Sequence, residues 1–97
     1  MLLLAAVFLM LPVACSSTYQ KPLTIGTNVW TGNEPLYLAR SLGYYDERRL
    51  RLVELSSSAQ SMDALRAGRL DAASLTLDEA LTLAAEGVPL RVVWVLD

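Results

Sequence analysis

The sequence predicts an α/β fold in which a parallel β-sheet is covered by flanking helices. Four short apolar runs typical of strands alternate with three helical segments, and the connections between them are short. Strands that alternate with helices in this way are joined by right-handed crossovers and lie parallel. The carboxyl ends of the strands then share one edge of the sheet, which is where ligands bind in open α/β folds.

The first strand and the first helix are predicted over residues 23–29 and 34–42. Aliphatic residues form the strand, and residues 30–33 (Trp-Thr-Gly-Asn) have the composition of a turn. Pro35 suits the first turn of a helix because its missing N–H needs no partner there. Gly43 is expected to end this helix in a left-handed conformation.

The second strand is predicted over residues 50–55 and the third over residues 70–77. The second helix is expected to run to Ala67, with Met62, Leu65 and Ala64 on its buried face. Two pairs have the spacing of a capping box, in which each side chain satisfies an orphan backbone N–H: Ser57 with Gln60, and Thr76 with Glu79. The second and third helices are expected to end at two glycines, Gly68 and Gly87.

The last apolar run, residues 90–96, predicts a fourth strand. Because the run is unbroken, we expect this strand to be buried on both faces. A chain of about eighty residues buries only roughly 60–65% of its unfolded surface, which is marginal for a complete domain. We therefore interpret the chain as the front piece of a longer protein.

Composition excludes several classes of function. The chain has 97 residues, a net charge of −2, one cysteine and no histidine. It lacks the basic cluster that a nucleic acid would require. The missing histidine removes the usual general base near neutral pH and the commonest metal ligand, and one cysteine makes neither a zinc site nor an internal disulfide. We expect no catalytic residues, no metal and no cofactor.

The first 15 residues are predicted to be a signal peptide, because their apolar run is too short to cross a membrane. The run ends in Leu-Pro-Val-Ala-Cys, which resembles a bacterial lipobox and implies that Cys15 is lipidated and begins the mature protein. An ordinary cleaved signal and a retained membrane anchor are the alternatives. All three export the domain, and residues 16–22 are expected to form a polar tether.

Several segments resemble the periplasmic solute-binding proteins of ABC importers, in the nitrate/sulfonate/bicarbonate (SsuA/THI5-like, NMT1) group. The resemblance covers nearly all of residues 23–97, and it depends on the order in which the segments follow one another. The segments are LTIG at 23–26 with Trp30, EPLYLAR at 34–40, LGYYD at 42–46, DALRAGRLDAA at 63–73 and LTLDE at 75–79.

The resemblance implies a type II periplasmic-binding-protein fold, in which two lobes close on a small ligand and then dock on a membrane permease. Residues 23–97 would form the front part of lobe 1, where a strand from the second lobe lies between the third and fourth strands. The solute would be small and polar or anionic: a sulfonate, nitrate, bicarbonate or pyrimidine precursor. The protein would act in the periplasm or at the cell surface, attached to the membrane by its lipid.

Two other functions use the same fold. One is an enzyme resembling the thiamine-pyrimidine synthases, against which the absence of histidine and of clustered nucleophiles argues. The other is the sensor domain of a receptor or kinase. We expect the importer component rather than an enzyme.

The candidate ligand-binding residues all lie in the three strand-to-helix turns. Trp30 either stacks on a ligand or packs under the first helix. Thr31 and Asn33 either donate to a ligand or cap that helix. The full set is Trp30, Thr31, Asn33, Ser57, Ser58, Thr76 and Asp78.

In the later turns each candidate also has two interpretations. Ser57 is expected to cap its helix, which leaves Ser58 or Ser56 freer to reach a ligand. Thr76 is expected to be a cap whose backbone still faces the cleft. Asp78 either binds an amine or complements the helix dipole.

Overall fold

The computed structural model describes residues 18–96, and within them a three-stranded parallel sheet carries three α-helices. The predicted α/β class is confirmed, and the arrangement is that expected of part of a periplasmic-binding-protein lobe. The predicted signal peptide over residues 1–15, with Cys15, lies outside the described residues. The elements are β1 (Leu23–Thr27), a 3-10 turn (Thr31–Asn33), α1 (Glu34–Ser41), β2 (Leu50–Glu54), α2 (Ser58–Arg66), β3 (Ala72–Ala73) and α3 (Leu77–Ala85).

Strand β1 lies at the centre of the sheet, between β2 and β3, and pairs parallel to both. Ile25 lies opposite Leu52 of β2 and Ala72 of β3. Because the three strands are parallel, their carboxyl ends lie at one edge, and each helix begins just beyond that edge. The predicted common edge for the three strand-to-helix turns is therefore confirmed.

The helices end and begin where the local signals predict. Serine and threonine caps start α2 and α3: Ser57 Oγ accepts a hydrogen bond from Gln60 N at 3.3 Å, and the Thr76 N–H donates to Glu79 Oε2 at 2.8 Å. Both caps occupy backbone donors that have no partner within the helix. Each α-helix is followed by a glycine with a positive φ, as predicted: Gly43, Gly68 and Gly87.

Among residues 18–96, half of the buried side chains are polar. Three small or aliphatic residues are buried together with three polar ones: Ala64, Leu70 and Leu83, and Thr27, Asn33 and Ser61. Buried polar groups are costly unless they are hydrogen-bonded, so they mark places where the fold depends on specific polar contacts. Asn33 and Thr27 lie at the carboxyl edge of β1, which is the edge that carries the site.

The buried face of α2 agrees with the prediction at Ala64 and differs from it elsewhere. Ser61 and Ala64 are buried, whereas Met62 and Leu65 are only half-buried. The reason lies in the sheet, because α2 packs on β1 and β3, and β3 presents only alanines there. Short side chains on both surfaces let the helix approach closely, so small residues fill the interface.

The predicted third and fourth strands are corrected by the structure. β3 has two residues, Ala72–Ala73, rather than the eight of residues 70–77. Residues 90–96 form no strand, and Val93 and Trp94 are 81% and 77% exposed. An apolar run becomes a strand only when a neighbour supplies a ladder of hydrogen bonds. The described residues supply no second neighbour for β3, and the resemblance assigns that position to a strand from the second lobe.

Two aspartates near the amino edge of the sheet accept hydrogen bonds from neighbouring residues. Asp71 Oδ2 accepts hydrogen bonds from the backbone N and the hydroxyl of Thr24, both at 2.8 Å. These bonds hold the pKa of Asp71 below its ordinary value. At the turn before β2, Asp46 accepts from Arg48 at 2.9 Å, and this hydrogen bond is the main reason that the pKa of Asp46 is also lowered.

Candidate functional site

A cavity of about 410 Å³ opens at the carboxyl edge, on the side of the sheet formed by β1 and β2. Its walls come from three parts of the chain: the loop after β1, the start of α1 and the last residue of β2. The contributing residues are Asn28, Val29 and Trp30 from the loop, Thr31, Glu34 and Tyr37 from the turn and α1, and Glu54 from β2.

Trp30 is the aromatic residue predicted at this edge, and it lines the cavity with 49% of its surface exposed. Its indole ring lies against Gly32, where an added Cβ would overlap the ring carbons. Because Gly32 has no Cβ, the indole ring can lie directly against its backbone. The predicted contact of Trp30 with a ligand stays a prediction.

Thr31 also lines the cavity, but Asn33 does not. Asn33 is fully buried, and its Nδ2 donates to the backbone O of Asn28 at 3.0 Å and to Asn28 Oδ1 at 3.1 Å. The Asn33 side chain makes no cap hydrogen bond to α1. Its amide instead holds the loop that carries Trp30.

Asn28 is a central residue of the site that the sequence analysis missed. It lines the cavity, and its Nδ2 donates to Ser58 Oγ at 2.7 Å. A continuous chain of hydrogen bonds thus runs from Asn33 through Asn28 to Ser58, and it joins the first turn to the second. The sequence pattern that could have identified Asn28 is an amide residue directly after a strand, at the edge of the sheet where polar side chains converge.

The predicted cap at Ser57 is present, and Ser56 and Ser58 on either side of it are also hydrogen-bonded within the protein. Ser57 caps the helix through its bond with Gln60, and Gln60 Oε1 in turn accepts from Ser56 N and Oγ at 3.2 Å and 3.1 Å. Ser58 Oγ accepts from Asn28, which leaves its own hydroxyl hydrogen available as a donor. None of the three serines lines the cavity.

Thr76 and Asp78 begin α3, beyond β3 on the other side of β1 from the cavity. A hydrogen bond with the Thr76 hydroxyl, and then bonds with the backbone N–H groups at the helix start, hold the pKa of Asp78 below its ordinary value. Both residues are exposed and neither lines the cavity. The structure therefore assigns them helix-start contacts and does not bring them to Trp30.

The remaining lining residues were also missed. Tyr37 hydrogen-bonds through its hydroxyl to Thr27 Oγ1, at the end of β1. The guanidinium of Arg40 lies 5.0 Å from the centroid of the Tyr37 ring. Glu34 and Tyr37 are three residues apart and so share one helix face, which was the signal available for them. Glu54 is the final residue of β2 and reaches the cavity from the neighbouring strand.

The described residues contain neither a metal-binding cluster nor a membrane-spanning helix. Among residues 18–96, no three histidine, cysteine, aspartate or glutamate side chains are grouped so that they could hold a metal ion. No helix in this part of the chain has the length and apolar character needed to cross a membrane.

Comparison with known proteins identifies the family. No curated protein and no solved structure matches the chain. The model of a protein family described as the NMT1-like family matches residues 17–97, which is well over half of the chain. The chain therefore belongs to the NMT1-like family, a family of mostly non-enzymatic solute-binding proteins.

Proposed function

We propose that the chain is the extracytoplasmic solute-binding component of an ABC importer, which captures a small polar solute and delivers it to the permease subunits. The observation that carries the proposal is the cavity of about 410 Å³ at the carboxyl edge of the sheet. Its volume lies within the roughly 300–1,000 Å³ typical of small-molecule sites. The resemblance implies a sulfonate, nitrate, bicarbonate or pyrimidine precursor as the solute.

In this proposal the cavity forms one wall of a larger site. Micromolar affinity needs about −8 kcal/mol, and a helix dipole contributes only about 0.3–1 kcal/mol. Hydrogen bonds from Thr31 and the loop backbone, and a stacking contact from Trp30, must add to the dipole. We therefore assign residues 23–97 to the first of two lobes, whose partner lobe covers the cavity and excludes water.

The proposal includes no chemical step on the solute. The sequence has no histidine to act as a general base near neutral pH. Asn28 and Asn33 are bonded to each other, so their amides serve to hold the loop rather than to activate a substrate. The pattern of contacts favours retention and release of an unchanged solute.

The proposed attachment to the membrane depends on Cys15, the single cysteine of the chain. In bacteria that express the protein, Cys15→Ser should abolish incorporation of labelled palmitate and move the protein from the membrane fraction to the soluble fraction. Because no other thiol is present, any label that remains on the variant would contradict the assignment to Cys15.

Binding can be tested by thermal shift of the complete protein, with both lobes present, against a panel of small solutes. A solute at a hundred times its Kd should stabilise the folded protein by about 2.7 kcal/mol. Trp30→Ala should remove the stabilisation because it removes the aromatic wall of the cavity, whereas Trp94→Ala should retain it because Trp94 lies outside the cavity. A panel that gives no stabilisation, or equal loss in both variants, would count against binding at this cavity.

A further inference from the structure

Two fully buried polar side chains at the carboxyl edge of β1 are each hydrogen-bonded to a residue that lines the cavity. Thr27 Oγ1 is bonded to the hydroxyl of Tyr37 at 2.5 Å. Asn33 Nδ2 donates to Asn28 Oδ1 at 3.1 Å. Tyr37 and Asn28 line the cavity, whereas their two partners do not. The buried partners therefore decide which hydrogens of the lining residues remain available to a solute.

The bond between Thr27 and Tyr37 has two possible directions, because both groups are hydroxyls. Thr27 is fully buried, and its hydroxyl has no other hydrogen-bond partner within residues 18–96. If Tyr37 donated to Thr27, the hydroxyl hydrogen of Thr27 would be buried without an acceptor, which is unfavourable. If Thr27 donates, its hydrogen is satisfied, and the hydrogen of Tyr37 is available to water or solute in the cavity. We therefore assign Thr27 as the donor and Tyr37 as the acceptor.

The amide of Asn28 is oriented by contacts on two sides. Asn33 Nδ2 donates to both the backbone O and Oδ1 of Asn28. The Asn33 oxygen is buried without a donor in the described part of the chain, but the reversed amide would place that oxygen against two acceptors. Asn28 Oδ1 therefore faces Asn33, and its Nδ2 donates one hydrogen to Ser58 Oγ at 2.7 Å. An amide nitrogen carries two hydrogens, and the second one has no acceptor among residues 18–96.

The two available hydrogens originate close together at the end of β1. The Tyr37 hydroxyl is bonded to Thr27, the last residue of the strand, and Asn28 is the next residue in the chain. Both hydrogens belong to uncharged groups, so each requires an acceptor atom on the solute. The oxygens of sulfonate, nitrate and bicarbonate and the ring nitrogens of a pyrimidine are such acceptors. Hydrogen bonds to ionised oxygens are about twice as strong as those between neutral groups.

We propose, on the basis of the function proposed above, that Tyr37 and Asn28 recognise the solute, each by donating one hydrogen bond to an acceptor atom. Thr27 and Asn33 are positioning residues, because they occupy the oxygens of the two donors and leave one hydrogen of each available. The solute presents its acceptor atoms to this part of the wall, beside Trp30.

The direction of the buried bond can be measured without a solute. A buried, hydrogen-bonded hydroxyl proton exchanges slowly with water, whereas one that faces an open cavity exchanges rapidly. Selective ¹³C labelling of threonine and tyrosine distinguishes the two hydroxyl protons by NMR. We expect the slowly exchanging proton to be that of Thr27. A slowly exchanging proton on Tyr37 would overturn the inference by itself.

The contribution of Tyr37 is tested by titrating the complete protein, with both lobes present, with methanesulfonate, nitrate, bicarbonate and 4-aminopyrimidine in a calorimeter at pH 7. For a probe that binds, Tyr37→Phe should lower the affinity about tenfold, which corresponds to 1.4 kcal/mol. It should also lower the midpoint of urea denaturation, because Thr27 loses its acceptor. Tyr44→Phe, which removes an exposed hydroxyl outside the cavity, is the control and should change neither quantity.

A second variant separates recognition from stability. Adding Thr27→Val to Tyr37→Phe removes both partners of the buried bond, and replacing both partners by apolar groups of similar shape is nearly neutral. The urea midpoint should therefore return toward the native value while the affinity stays low. If the affinity returned together with the midpoint, Tyr37 would have only a structural role, and its assignment would be wrong.

Asn28→Asp tests the other donor with little change of shape. The carboxylate still accepts from Asn33, and the Ser58 hydroxyl can turn to donate to it, so circular dichroism should show a folded protein. The available hydrogen is replaced by an acceptor oxygen, and the affinity should fall by about tenfold or more. Val29→Asp adds the same charge to the cavity wall without removing a donor, and it should lower the affinity less.

The outcomes separate this inference from the proposed function. If a probe binds and the affinity is native in both the Thr27→Val/Tyr37→Phe and the Asn28→Asp variants, the protein is a solute-binding protein but the inference is wrong. An equal loss in Asn28→Asp and Val29→Asp would overturn the assignment of Asn28. If no probe binds to the complete protein, the proposed function fails and the solute contacts fail with it, whereas the NMR measurement still decides which hydroxyl donates.

Discussion

Carboxylates at the two edges of the sheet differ in whether they accept hydrogen bonds from the protein. At the amino edge Asp71 accepts two hydrogen bonds from Thr24, both at 2.8 Å, and its pKa is lowered as a result. At the carboxyl edge Glu34 and Glu54 line a cavity and have no such partner within residues 18–96. Carboxylates that accept hydrogen bonds from the protein contribute to the fold, whereas exposed carboxylates without a protein partner remain hydrated and contribute little to it.

Asn33 is the residue whose loss should have the largest effect, and it tests whether the carboxyl edge also contains groups that serve the fold. Asn33→Ala removes both hydrogen bonds to Asn28. Asn28 Oδ1 loses this donor, whereas Asn28 O still accepts from the backbone N of Trp30 at 2.8 Å. We expect a loss of about 1–3 kcal/mol in the free energy of unfolding, measured by urea denaturation. Asn33→Asp, which retains the shape but replaces the donor by a carboxylate oxygen at a fully buried position, should lose more than Asn33→Ala. An unchanged midpoint in both variants would show that the polar chain is dispensable.

Asp71 should have an intermediate effect that depends on pH. Because its pKa in the folded state lies below the ordinary value of 3.8, its hydrogen bonds stabilise the fold above that pH. The contribution is lost as the pH falls through the lower pKa of the folded state. Asp71→Asn should therefore be less stable than the native protein at pH 7, and the difference should close toward pH 2 in urea titrations. A difference that is constant with pH would contradict this account.

Glu54 should have the smallest effect on stability, because it makes no contact that folding depends on. Glu54→Gln should change the free energy of unfolding by less than about 0.5 kcal/mol, in the same urea assay at pH 7. The stability losses of Glu54→Gln and Asp71→Asn can be compared directly, because each variant removes one exposed carboxylate, one at each edge of the sheet. A loss at Glu54 as large as the loss at Asp71 would remove the distinction between the edges.

The fold was predictable wherever its signals are local. Gly43 and the caps at Ser57 and Thr76 were read correctly because a cap or a helix stop involves residues within one turn of each other. Residues 90–96 were misread because strand formation depends on a neighbour, which no local pattern reveals. The length of β3 was overestimated for the same reason.

The site was only partly predictable. Trp30 and Thr31 were predicted because they lie in the turn after the first strand, and the structure places both in the cavity wall. Asn28 was missed because it was counted within the predicted strand over residues 23–29, whereas β1 ends at Thr27. Its bond to a serine thirty residues later in the chain, and the position of Glu54 beside β1, arise across elements and have no local signal. Such contacts are set by the register of the sheet, which the sequence pattern leaves open.

The central position of β1 has a consequence for how the cavity comes into existence. β2 and β3 have no pairing with each other and meet only through β1, and the cavity combines a loop that leaves β1 with the final residue of β2. If β1 detaches from the sheet, the whole cavity is lost, and no part of it remains to bind a solute. Solute binding must then be lost over the same range of denaturant in which the protein unfolds. Each molecule therefore either has the whole cavity or has none of it.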